Sequence, residues 1–154
     1  MPVTGKRTTL AQVTIFASGS TAALVSGAFA TSASAGIDFS QNNTLTQGFF
    51  RGKFYLSATA GAAPTVNTGW VVYILGSPDG GGAFETAPTS GAPVTQVVAT
   101  INAAASDNVA FLRATAEVDG PTGTAKIILY NNGTGQQLNA GWSLTWVPAS
   151  DQGV

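Results

Sequence analysis

Gly69 to Phe84 reads Gly-Trp-Val-Val-Tyr-Ile-Leu-Gly-Ser-Pro-Asp-Gly-Gly-Gly-Ala-Phe, and this stretch constrains the fold more than any other. Trp70 to Leu75 is an unbroken apolar run of strand length, rich in β-branched and aromatic residues. Bounded by turn signals, such a run is a strand buried on both faces. Breakers follow at once. In Pro78-Asp79-Gly80, Pro presets φ, Asp bonds its own backbone and Gly accepts positive φ. The chain therefore passes through a core and turns sharply at the surface, and shorter strands must pack on both sides.

Composition narrows the rest. Of 154 residues only 8% are charged, against a typical ~25%. A net charge of −1 together with three Trp, three Tyr and eight Phe does not fit intrinsic disorder. Low charge suits a surface that meets other protein, or a monomer coated in Ser and Thr. Cysteine is absent, so there are no disulfides and no thiol chemistry. Histidine is absent too, which removes the commonest general base and the commonest metal ligand. Six basic against seven acidic residues give no electrostatic footprint for nucleic acid. No apolar stretch is long enough for a membrane helix.

Near the start, Lys6 and Arg7 precede an Ala-rich stretch ending Ser32-Ala-Ser-Ala35. Polar residues and glycines interrupt it from Gln12 to Gly27, so the apolar centre of a cleaved signal is missing. Residues 1–20 are expected to be an arm or edge strand, with Gln12–Phe16 extended. Residues 1–9 are polar and unpatterned, as in a frayed end or an arm lying on a neighbour. Residues 17–35 leave strand, helix or loop open, and a weak helix fits Ala22–Ala30. Residues 21–154 then form one domain. Strands are expected at 36–39, 49–58, 70–75, 94–101, 109–118, 125–130 and 142–147, with Pro148 ending the last. Gly52 inside its strand marks a bulge or a close backbone approach. Alternation over 109–118 places Arg113 and Glu117 on the wet face. The segment from Gly76 to Pro93 is too long for a plain hairpin and suits contact with a neighbour. Short strands joined by Gly, Pro and Asn turns make the chain all-β, an antiparallel β-sandwich (jelly-roll-like) of about eight strands.

Catalytic chemistry finds little support. The carboxylates are Asp38, Asp79, Glu85, Asp107, Glu117, Asp119 and Asp151. Asp79, Asp107 and Asp119 stand in turn contexts, where Asp serves the backbone. No pair faces a common bond as glycoside hydrolysis requires, and no Ca²⁺-loop spacing occurs. Gly80-Gly-Gly82 lacks the Lys and the helix of a phosphate cradle. Asn42-Asn-Thr44 and Asn132-Gly-Thr134 match a glycosylation sequon but read as turns. No cofactor and no metal site is expected. Trp142, Leu144 and Trp146 share one strand face, which belongs in the core. If exposed, it would serve oligomer contact or, less readily, sugar stacking.

Two stretches carry a family likeness. Val72-Tyr-Ile-Leu-Gly-Ser-Pro-Asp-Gly80 resembles the strand and Ser-x-Asp-Gly turn of small β-sandwich proteins in tailed-bacteriophage virions. Ala125-Lys-Ile-Ile-Leu-Tyr-Asn-Asn-Gly-Thr-Gly-Gln136, with Trp142-Ser-Leu-Thr-Trp146, is similar to their C-terminal portion. The layout matches over roughly residues 45–147, and departs at Val147-Pro148, where those proteins continue with basic residues. The resemblance to capsid decoration (cement) proteins implies a non-enzymatic virion part on the capsid surface. Its expected partners are the major capsid protein and sister subunits, as a homotrimer on a three-fold axis. Expected contact residues are Lys6, Arg7, Phe16, Pro78, Phe84, Trp142 and Trp146. The alternatives are a tail or baseplate accessory protein and a carbohydrate-binding module of a fibre.

Overall fold

A computed structural model of the chain describes residues 6–9, 12–33, 35–39, 51–86, 97–120 and 123–152. These residues contain strands, one short 3₁₀ helix at Ala105–Asn108 and no α-helix. In chain order the strands are β1 (Lys6–Thr9), β2 (Val13–Phe16), β3 (Phe29–Thr31), β4 (Ile37–Asp38), β5 (Arg51–Ala58) and β6 (Gly69–Gly76). They continue with β7 (Val97–Asn102), β8 (Phe111–Ala114), β9 (Val118–Asp119), β10 (Thr124–Asn132) and β11 (Ser143–Gln152).

Among the described residues all pairings are antiparallel and make two sheets. In the first, β1 and β2 both line one side of β11, and β5 lines the other. The far side of β5 takes β8 and β9. In the second, β3 and β4 line one side of β10, β6 lines the other, and β7 follows β6. One apolar cluster draws Phe54, Leu56, Leu144 and Trp146 from the first sheet and Trp70, Val72, Ile127 and Leu129 from the second. Each such side chain, taken fully out of water, contributes roughly 1.5–3 kcal/mol.

The apolar run that anchors the sequence is β6, buried at every residue from Gly69 to Tyr73 and again at Leu75. Its alternate residues serve two environments. Trp70 and Val72 join the main core, while Val71, Tyr73 and Leu75 join Ile128 in a second cluster flanked by Phe29 and Tyr130. A strand with no polar face follows from that placement.

Several expectations change. The 22–30 segment is not helical: Leu24 bridges to Leu138, and β3 begins at Phe29. Lys6–Thr9 is strand along β11 rather than an unpatterned end. Phe49, Phe50, the turn at 41–44 and residues 94–96 lie outside the described residues. Pro148 does not end the last strand, which runs on to Gln152. The Phe54 carbonyl accepts from the Thr115 N–H and the Phe54 N–H donates to the Thr115 hydroxyl, so even-numbered residues of β5 bond toward β8 and odd-numbered ones toward β11. Pro148, paired with Gly52, therefore turns its missing N–H away from β5. On that side the β2 ladder stops at Trp146 and the β1 ladder resumes at Ala149, so Pro148 breaks no bond in either.

Candidate interaction surface

The largest reversal lies in 109–118. Here β8 covers only Phe111–Ala114, and its phase is opposite to the expected one. Phe111 and Arg113 turn toward the protein and Leu112 turns out, 67% exposed. Two partners explain this. The Phe111 ring stacks on Trp70 with centroids 5.2 Å apart. The Arg113 guanidinium grips Asp107, with Nε 3.0 Å from both carboxylate oxygens and Nη2 2.6 Å from Oδ1. Asp107 is fully buried in the 3₁₀ turn, where it also accepts from the Ala104 N–H at 2.8 Å. Its carboxylate holds the Arg113 guanidinium above its ordinary value through these bonds. Charge-assisted, forked contact of this kind outweighs the plain preference of Arg for water.

The consequence is an apolar flank. Val109 is 63% exposed, and Ala110, Ala114 and Ala116 are exposed beside Leu112. A groove of about 480 Å³ runs alongside, lined by Ile101 and Asn102 of β7 and by Leu112, Arg113 and Ala116. Leu112 and Val109 were missed because an alternating strand has two possible phases. The available signal was an Asp six residues before the Arg, at a turn able to reach back.

Charge gathers elsewhere. Arg51 meets Asp119 at 3.3 Å, both well exposed, beside a hollow of about 430 Å³ that Glu117 and Val118 also line. Register places Lys6 and Arg7 at the same end of the first sheet, opposite Gln152 and Asp151. Exposed pairs of this type add little stability.

The expected contact residues separate accordingly. Lys6 and Arg7 stand on the outer strand of the first sheet. Pro78 is exposed. Phe84 is half-buried, with the Lys126 ammonium 4.2 Å above its ring, so it packs within its own chain. Phe16 is half-buried against Trp142 at 4.9 Å. Trp142 and Trp146 are removed from any contact surface: they are 2% and 0% exposed. The Trp142 indole donates to the Ala22 carbonyl at 2.8 Å, and Trp146 packs on Phe54 at 4.7 Å. Their strand face is core, so a two-tryptophan sugar platform is ruled out.

The remaining polar groups mostly serve the fold. Asp79 accepts from the Gly82 and Ala83 N–H groups and the Ser77 hydroxyl, which fills the Gly80–Gly82 loop with its own carboxylate. These bonds, that from Ala83 foremost, lower the Asp79 pKa. Thr134 is buried and donates to Asn131 Oδ1 at 2.6 Å, so Asn132-Gly-Thr134 is turn chemistry. Among the described residues no group of three His, Cys, Asp or Glu could hold a metal. Among the described residues three buried donors have no partner: the indole nitrogens of Trp70 and Trp146 and the Tyr73 hydroxyl.

Comparison of the chain with protein-family models, curated proteins and solved structures finds no match.

Proposed function

We propose that the chain is a non-enzymatic structural protein of a tailed-phage virion, a jelly-roll β-sandwich that decorates the head shell as a homo-oligomer. The observation that carries this reading is the order of strand pairing. Strands that line one side of a common neighbour count as one stave: β1 with β2, β3 with β4, β8 with β9. Counted so, the described strands make eight staves, and the first pairs with the last, the second with the seventh, the third with the sixth and the fourth with the fifth. A long hairpin wrapped into two facing sheets gives that nesting. That order supports the jelly-roll reading, a plan used by viral shell proteins, lectins and cupins.

Because one fold hosts many functions, the surface has to choose among them. A metal-dependent role lacks support from a chain without His or Cys. A lectin-like role loses its Trp platform to the core. A shell role is supported by scarce charge, an exposed apolar flank at Val109 and Leu112, and β1 with Lys6 and Arg7 on an outer edge. In this reading the head shell meets the Lys6–Arg7 edge and the Pro78 turn.

The test is cosedimentation of the purified protein with separated phage heads and tails. Saturable binding to heads is expected. Binding to tails alone would make it a tail accessory protein. Indifference to both would end the virion reading.

A further inference from the structure

The free edge of β8 has two properties that belong together. Leu56 and Ala58 of β5 bond toward β8, and their register partners are Arg113 and Phe111. The N–H and C=O groups of Ala110, Leu112 and Ala114 therefore point away from the sheet. Among the described residues no strand pairs with them. The side chains of these same three residues form the exposed outer row, and all are apolar. Natural sheets guard a free edge with Lys, Pro, a bulge or an inward charge that repels pairing. Here the single charge of the strand, Arg113, is neutralised by Asp107 and guards nothing.

We infer that β8 is a self-pairing edge: two copies of this chain join their β8 strands antiparallel about a two-fold axis through Leu112. The pattern is its own complement. On that axis Leu112 exchanges both backbone bonds with the partner's Leu112, and Ala110 does so with the partner's Ala114. The outward row then reads Ala, Leu, Ala against Ala, Leu, Ala, with no charge to oppose its own image. Like charges directly opposite destabilise such a pair, whereas apolar pairs stabilise it. Edge addition supplies the main-chain bonds and the side-chain row supplies the register. An isologous contact closes at two copies, so the strand selects a dimer rather than the three-fold ring expected from the capsid likeness. This deepens the homo-oligomer part of the proposed function and is independent of the virion address.

The chain contains no cysteine, which gives a direct test. In a hydrogen-bonded antiparallel pair facing Cα atoms lie about 5.5 Å apart. Leu112→Cys should therefore join two chains through a short thiol-to-thiol crosslinker, while Val66→Cys, 57% exposed on the turn before β6 and off the β8 edge, should not. Sedimentation of the native chain should show a reversible dimer. Leu112→Asp should weaken it roughly tenfold or more, because like charges would face each other across the axis. Leu112 is exposed, so the circular dichroism of that variant should stay native. A native trimer, or an oligomer untouched by Leu112→Asp and crosslinking no faster at 112 than at 66, would overturn the β8 contact and leave the homo-oligomer standing. A native monomer at every concentration would overturn both.

Discussion

Single residues hold the outer turns to the sheets. Asn131 is fully buried, and its side-chain amide donates to the Leu24 and Gln136 carbonyls while its oxygen accepts from Thr134. Asn131→Ala should cost about 1–3 kcal/mol, since the Leu24 and Gln136 carbonyls and the Thr134 hydroxyl each lose one of their partners inside the protein and keep another. Chemical denaturation would read this as a lower midpoint at unchanged slope. Arg113→Ala leaves the buried Asp107 carboxylate unpaired. Removing one partner of a fully buried pair costs roughly 3–5 kcal/mol. Arg113 is 34% exposed, so about 2–3 kcal/mol is expected here, again from denaturation. Tyr73 gives a pH signature. Burial, with Tyr130 nearby, pushes its phenol above the ordinary 10.0. The neutral phenol therefore stabilises the fold in full below pH 10, and that contribution is lost as pH rises through the raised value, because the unfolded chain ionises first. Tyr73→Phe should keep its melting temperature further into alkali, and should lose nothing at neutral pH because the hydroxyl has no partner. Equal alkaline slopes for both proteins would show that Tyr73 is not the group responsible.

At the scale of elements, the strand that the core clamps on both faces was legible, as were the edge strands β2 and β7, whereas β1 and the phase of β8 were not. The apolar run Trp70–Leu75 has one way to satisfy its side chains, and β6 lies there, buried. Gly52 was legible as a close approach: a Cβ there would sit 2.7 Å from the Trp146 ring and 2.5 Å from the Val147 carbonyl. Gly52→Ala should destabilise by about 1–3 kcal/mol through that overpacking, measured as a fall in melting temperature. The phase of β8 was not legible, because alternation leaves two choices and the decision rests on Asp107, which a turn brings back to Arg113. The burial of Trp142 and Trp146 follows from the apolar period of their strand, so that part of the candidate contact set was recoverable from the core reading alone. The extension of β11 past Pro148 was not, since it depends on where two separate edge strands interrupt their ladders. Deleting residues 1–20 removes both β1 and β2 from the side of β11. It also takes Ile15 out of the main core, where it is 9% exposed. The truncated chain should be less stable and should bind heads at reduced occupancy. Full occupancy would show that this edge does not face the shell.

At the scale of the molecule, the sheets, the charges and the free edge divide the surface. Charged groups gather at one end of the first sheet, around Arg51 and Asp119. The flank around Leu112 carries no outward charge. A dimer formed through β8 should accordingly be insensitive to salt, whereas binding through the Lys6–Arg7 edge should weaken as salt rises. Reversed dependences would assign the two contacts the other way round. The described residues make two antiparallel sheets, and the proposed assembly uses two parts of their surface: the apolar β8 edge for self-pairing and the β1 edge for a second partner. The most direct measurement is electron cryo-microscopy of intact phage particles carrying the chain. The expected result is paired two-sheet density on the outside of the head, with the β8 flanks together at a two-fold and the β1 edge toward the shell. Particles with no such density on head or tail would contradict the virion role outright.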